Sequence, residues 1–370
     1  MQVPFVNLAA EYGSMRESLL EAFDEVGRSG HYVLGPQGEA LEKSFAQLCS
    51  SRFAVAVGNG SDALMLPLLT LELQPDEEVI TAPNSFVASA WVIARAGARI
   101  RFCDVDDSMN IDPVALAAAI TPQTRAVMPV HLTGRIAAME KIMPLAQSRS
   151  LRVIEDAAQA VLARRHGQSA GSFGWCAGFS LHPLKNLHVY GDGGILTTDD
   201  EDLVQKIRKW RNHGLLNRDV CEFWGLNSRL DEGQAAILLR KLKLLAGWTE
   251  RYQAIARRYC EALGGSLWVP SWEAYEEPVF HRFMVRHPER DALAQFLQQQ
   301  GIETKVNYPI PLHLQPAARS LGYARGDFPM AEKLADTILS LPIYPALGDD
   351  QVDWVCEQVL EFCRQNPGNP

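Results

Sequence analysis

The 370-residue sequence predicts an α/β fold, a mostly parallel seven-stranded sheet flanked by helices, followed by a smaller α+β C-terminal domain. Three observations carry that expectation. Short apolar runs alternate with helix-like stretches as far as Thr198, the pattern of a parallel sheet covered on both faces. The pattern then turns helical for two stretches between Leu230 and Leu263, after which a shorter series of strands and helices follows. With 47% hydrophobic and 21% charged residues, the chain is long enough for two domains with substantial cores.

The elements follow in order. Strands are expected at Phe53–Val57, Glu78–Ala82, Ile100–Val105, Ala126–Leu132, Leu151–Asp156, Gly178–Leu181 and Ile195–Thr198, each a short apolar run bounded by turn residues. Helical patterns lie between them at Asp62–Leu73, Pro113–Ile120 and Ile136–Ser148. The second helical stretch, from near Trp248, bridges to the smaller domain, so the division falls at 1–245 and 246–370. That domain offers a strand at Val279–Val285, a helix at Arg290–Gln300, a strand at Glu303–Tyr308 and helices around Ala331 and Val352. Asn366–Pro370 is expected to fray.

Three segments carry chemistry. Lys185 sits in Phe179-Ser180-Leu181-His182-Pro183-Leu184-Lys185-Asn186-Leu187, ahead of Gly191-Asp192-Gly193-Gly194, so a loop between two strands projects it into a cleft. A desolvated lysine amine loses its proton readily and is the usual partner of a carbonyl in Schiff-base chemistry, above all with pyridoxal phosphate. Upstream, Leu151-Arg152-Val153-Ile154 reads as a buried strand ending in Glu155-Asp156-Ala157-Ala158-Gln159, and carboxylates at such an end face the ligand crevice. Asp156 then suits a pyridinium nitrogen and Gln159 a phenolic oxygen. The plain alternatives are a capping aspartate and a solvated glutamine. Finally, Ala54-Val55-Ala56-Val57 runs into Gly58-Asn59-Gly60-Ser61-Asp62-Ala63-Leu64, a strand, a glycine turn and a helix start whose free amides, with the Ser61 hydroxyl, make an anion site. The same residues satisfy a loose G-x-G-x-x-A dinucleotide pattern, with Glu77 or Glu78 near the distance of a ribose contact, but that reading leaves Lys185 and Asp156 unexplained.

Glu155 through Gln159, Ser180 through Asn186, Gly191-Asp192-Gly193-Gly194, Arg211-Asn212-His213-Gly214, Asn227 through Glu232 and Gln234-Ala235-Ala236-Ile237 resemble the DegT/DnrJ-type sugar aminotransferases. The resemblance runs from Val3 to Pro342 and implies the aspartate-aminotransferase fold, fold type I. It implies that Lys185 is the Schiff-base lysine, Asp156 the pyridine-nitrogen partner and Gln159 the contact to the phenolic oxygen. Gly60, Ser61 and Ser180 would hold the phosphate, Phe86 would stack on the ring, and Asn227 would reach the phosphate from the neighbouring subunit of a homodimer with a shared active site. The implied reaction transfers an amino group from glutamate to a keto-sugar, usually nucleotide-linked, as in the biosynthesis of lipopolysaccharide or other glycans. Some relatives of that fold are sugar dehydratases with histidine at the lysine position, and a non-catalytic regulatory protein on this scaffold is a further alternative. The intact Lys185, Asp156 and Gln159 argue against both.

The substrate side is less determined. His131 either faces the cleft or caps its strand. Tyr308 and His313 match a family segment near the substrate, or belong to a proline-stiffened surface loop. Arg229 either binds a substrate anion or pairs with Asp231 or Glu232, and Tyr32 lies in a turn that is either near the active site or a simple connector. His182 and His188 stand where the family has an aromatic and a small residue, and would reshape the acceptor pocket.

A net charge of −9 argues against nucleic-acid or membrane-surface partners. Seven scattered cysteines without a C-x-x-C pair point to a reduced, cytoplasmic setting and to no metal site. No signal peptide or bilayer-spanning run is expected.

Overall fold

The computed structural model describes residues 1–366; positions 367–370, part of the stretch expected to fray, lie outside the described residues. Along the chain come β1 (Phe53–Val57), β2 (Glu78–Thr81), β3 (Arg99–Phe102), β4 (Thr124–Met128), β5 (Arg152–Asp156), β6 (Arg164–Arg165), β7 (Gln168–Ser169), β8 (Cys176–Ser180) and β9 (Gly194–Thr198). All but β6 and β7 form one seven-stranded sheet in the order β1-β9-β8-β5-β4-β2-β3. Only β9 runs against its neighbours β1 and β8, so the other six strands are parallel and their C-terminal ends open on one edge. Such an edge is where an open α/β sheet places its ligand crevice.

Both faces are covered. On one, α2 (Pro36–Cys49) and the helix Met139–Ser148 pack Leu41, Phe45 and Ile142 against Ile80, Val127 and Phe179. On the other, α3 (Gly60–Leu69), α4 (Val87–Arg95) and the helix Glu201–Trp210 bury Leu64, Ile93 and Val204 against Val55, Met128 and Ile154. The approach of α3 to β8 is close: a Cβ at Gly178 would lie 2.7 Å from the Leu64 side chain. Glycine is what lets the helix sit there.

After the helix Leu245–Leu263 the chain builds a second core. Tyr259, Phe283, Leu293, Leu339 and Val355 meet there with Val3 from the far end of the chain. Val3 reaches this core by hydrogen bonds, its amide to Gly301 O at 2.8 Å and its carbonyl from Glu303 N at 3.0 Å. After the short β10 (Glu276–Glu277), β11 (Phe283–Arg286) and β12 (Ile338–Leu341) pair antiparallel. The expected strand at Glu303–Tyr308 does not form; Lys305 makes one isolated bridge to Ser340 on β12, which the sequence reading missed. A third cluster joins the lobes, setting Ala90, Phe102 and Val130 against Met284, Leu312 and Phe328. Between them lies the cleft.

Candidate active site

The cleft holds a cavity of about 570 Å³, a usual size for a small-molecule site. Five segments line it, each from the open edge of the sheet. β1 delivers Asn59, Gly60 and Ser61; the segment after β2 delivers Ser85, Phe86 and Ser89; β4 leads to Val130; β5 ends in Asp156; and β8 ends in Ser180, ahead of the Lys185 loop. The second lobe closes the cavity with His281, Arg282, Met284, Asn307 and Tyr308.

The Lys185 loop is pinned at its base. Leu181 N donates to Gly193 O at 2.8 Å and Val189 N to Leu181 O at 2.9 Å, while Leu187 and Val189 are buried in the core. Asn186 ties it to the second lobe, its amide nitrogen donating to Val279 O at 3.0 Å and its oxygen lying 3.1 Å from His281 Nδ1. Burial, helped by the Arg282 charge, lowers the Lys185 amine to about 8, against an opposing pull from Asp156. An amine in that range is half free at about pH 8 and keeps a free fraction near neutral pH, as a nucleophile or proton carrier requires.

Strand alternation separates the two carboxylates of β5. Asp156 faces the cleft, where its Oδ2 accepts from Ser89 Oγ at 2.7 Å and its Oδ1 from Ala158 N at 3.2 Å. Burial raises its proton affinity, and these donors together with the Lys185 charge oppose that rise. Glu155 points the other way and is fully engaged, accepting from Gly171, Phe173 and Gly174 amides and meeting His131 Nε2 at 2.9 Å.

At the opposite end of the cavity α3 begins. Asn59 caps it, accepting from Asp62 N at 2.8 Å, and Asp62 is itself held by Ser228 Oγ at 2.6 Å. The Gly60 and Ser61 amides have no protein partner among the described residues. A Cβ at Gly60 would fall 2.6 Å from Ser180 Cβ, so only glycine lets the helix end and the Ser180 hydroxyl share one space. Open amides, two hydroxyls and a helix N-terminus fit a phosphate. Across the cavity, Asp156 and Lys185 fit a ring nitrogen and an aldehyde. Gln159 lies between, its Oε1 fixed by Thr133 N at 2.7 Å, which leaves Nε2 as the end able to donate to a ligand oxygen. Phe86 is half exposed to the cavity, 5.7 Å from the Tyr308 ring. The donor set therefore fits pyridoxal phosphate.

Of the residues proposed from sequence, Gly60, Ser61, Phe86, Asp156, Gln159, Ser180, His182, Lys185 and Tyr308 meet in this cavity. His131, His188 and His313 do not. His131 is buried against Glu155. His188 lies behind the Lys185 loop, its Nδ1 3.0 Å from Lys185 O and its Nε2 3.2 Å from Glu11, which also pairs with buried Lys241 at 2.8 Å. His313 pairs with Glu332 at 3.0 Å. Arg229 meets neither Asp231 nor Glu232 but donates to Asn212 Oδ1 at 3.1 Å. Tyr32 and Asn227 are exposed outside the cavity of their own chain. The Glu77 and Glu78 carboxylates of the dinucleotide reading are held by Arg125 and by Arg101 with Thr121. Ser89 and Arg282 were missed. Ser85 and Ser89, spaced by four at the start of α4, were the available signal for the first; for the second it was the alternation Arg282, Met284 opposite the core residues Phe283, Val285.

Comparison with known proteins adds four findings. Residues 14–360 match the DegT/DnrJ/EryC1/StrS aminotransferase family. The chain is 43% identical to the pleiotropic regulatory protein of Geobacillus stearothermophilus, covering 98% of this chain and 99% of that one. It is 39% identical to the dTDP-3-amino-3,4,6-trideoxy-alpha-D-glucose transaminase of Streptomyces venezuelae, over 98% and 97% of the two chains. Among solved structures, S. venezuelae DesV in complex with a ketimine intermediate superposes with a TM-score of 0.95 at 40% identity, covering 98% of each chain.

Proposed function

The chain belongs to the DegT/DnrJ/EryC1/StrS aminotransferase family, and from that premise we propose that it moves an amino group from glutamate to a nucleotide-linked keto-sugar. It is a pyridoxal-phosphate-dependent sugar aminotransferase of fold type I. The observation that carries the residue assignment is the meeting, in one cavity, of Lys185, the Asp156 carboxylate and the open end of α3.

Bound pyridoxal phosphate supplies an electron-poor ring that accepts the charge left when the donor carbon loses its proton. Lys185 Nζ would hold the cofactor at its aldehyde and, as a free amine, would move the proton at the donor's Cα. Asp156, steadied by Ser89 and Ala158, keeps a proton on the ring nitrogen. Gly60, Ser61 and Ser180 bind the phosphate, Gln159 Nε2 donates to the phenolic oxygen, and Phe86 packs on the ring. His182 and Tyr308 line the acceptor side of the cavity. Residues up to 245 form the cofactor-binding domain, apart from the N-terminal end that seats Val3 in the second core, and the chain from 246 forms the lobe that closes the cavity.

The enzyme works as a cytoplasmic homodimer in which Asn227 completes the partner's phosphate site and Arg229 and Tyr32 approach the partner's cleft. Support for self-association comes from large apolar side chains on the surface, Trp224 at 90% exposure, Phe23 at 65% and Tyr32 at 60%. No described helix is long and apolar enough to cross a membrane. The regulatory description of one relative favours a second reading, a scaffold without turnover, and a single experiment separates the two. Glutamate added to the purified protein is converted to 2-oxoglutarate in an amount equal to the bound cofactor, and keto-sugars then gain the nitrogen, read by mass. Cofactor binding without release of 2-oxoglutarate would leave the dehydratase or regulatory reading standing.

A further inference from the structure

Arg282 differs from the other guanidiniums around it. Arg286, four residues on, is paired with Asp107 at 2.8 Å, and Arg135 with Glu276 at 2.7 Å. Arg282 has no carboxylate partner among the described residues. Its Nη1 donates to His281 O at 3.0 Å and its plane lies over the Phe5 ring at 5.1 Å. The Nε and Nη2 edge makes no hydrogen bond and is not fully buried, and Arg282 lines the cleft. A cation on a low-dielectric wall with a free two-donor edge is arranged to accept a carboxylate side-on.

We propose that Arg282 binds a carboxylate of the amino donor and so sets the enzyme's preference for an amino-acid donor. The inference rests on the transaminase reading of the same cleft. Position decides between the donor's carboxylate and the diphosphate of a nucleotide-linked acceptor. Arg282 and Lys185 share two cavity walls, and after burial Arg282 is the charge that most lowers the lysine's proton affinity. A donor's α-carboxylate is bonded directly to the carbon that reacts beside Lys185, whereas a diphosphate is held away from the keto carbon by the sugar ring. Binding has a second effect. The carboxylate cancels the guanidinium charge just as Lys185 must take up the Cα proton, which raises the lysine's proton affinity when it is needed.

The test uses cofactor-loaded wild type, R282Q and R282K, with succinate as an unreactive dicarboxylate measured by calorimetry, and with turnover measured against each substrate. The expected result is succinate binding by the wild type, weakened at least tenfold in R282Q and less in R282K, with the KM for glutamate rising in parallel and the KM for the acceptor sugar unchanged. Equal cofactor content in the three proteins shows that the fold is kept, and R282K supplies the charge should R282Q fail to load. Absence of succinate binding by the wild type, equal binding by R282Q, or a rise confined to the acceptor KM each overturns the proposal. Because succinate binding needs no turnover, a wild type that binds it but releases no 2-oxoglutarate with glutamate would sink the transaminase reading and leave the carboxylate site intact.

Discussion

The two sides of the Lys185 loop are built from similar residues to opposite ends. Behind it, toward α1 (Leu8–Ser29), the charges lie against one another in ion pairs: His188 lies between Lys185 O and Glu11, Glu11 also meets Lys241, and Lys241 lies over the Tyr190 ring at 4.4 Å. Burial raises the proton affinity of Glu11, but His188 and Lys241 together bring it below the usual carboxylate range. In front, toward the cavity, groups of the same chemistry are left open: the Lys185 amine, the Gly60 and Ser61 amides, the Arg282 edge and Gln159 Nε2. Charges paired within the protein hold geometry, and donors without a protein partner wait for a ligand.

The sharpest way to break this contrast is to remove a front-side group and find turnover intact. Lys185→Ala is expected to lower turnover by at least about 10³-fold while leaving the melting temperature close to wild type. Asp156→Asn keeps the shape but removes the charge, with an expected loss of about 10²-fold and looser cofactor retention, measured by dialysis and absorbance. Acidity acts on the same group. In the cofactor-free protein, modification of Lys185 by an amine-directed reagent, followed by peptide mapping, should rise with pH around a midpoint of about 8, because the protonated amine is inert. A midpoint near the ordinary 10.5 would contradict the geometry. The sign for stability agrees: the folded value lies below the unfolded one, so the cost of a buried ammonium is greatest below about pH 8 and is relieved as pH rises toward 10.5.

Back-side changes should be milder in turnover. His188→Ala removes the contact to Lys185 O, and roughly a tenfold loss in kcat is expected from the misplaced lysine, with KM values little changed. His131→Ala should leave turnover unchanged and cost about 1–3 kcal/mol in urea unfolding, because Glu155 loses a partner while buried. A catalytic defect in His131→Ala would move that residue to the front.

All seven strands of the main sheet were legible, because each is a short apolar run between turn residues. The reactive lysine, its strand-end aspartate and the glycine turn were legible for the same reason: parallel strands aim their C-terminal ends at one edge. The failures have physical causes. Ile338–Leu341 follows directly on the helix Pro329–Thr337, and an apolar run there reads as one more helical turn. Glu303–Tyr308 alternates like a strand, but Pro309 and Pro311 follow, and its pairing is reduced to the Lys305 bridge to Ser340 and the contact of Glu303 N with Val3 O. Histidines were the least legible residues. Whether His131, His188 and His313 face a cleft or a carboxylate depends on which distant glutamate the fold delivers, and no local spacing encodes that.

The seat of Val3 has a consequence for how the molecule is made. This residue is synthesised about 300 residues before its partners, for the carbonyl and amide it bonds belong to Gly301 and Glu303. At synthesis rates of ~5–20 residues per second, the Val3 segment stays unmoored for roughly 15–60 s before its docking groove exists. A fusion that blocks those first residues would therefore harm the last-made third of the polypeptide more than the part to which it is attached.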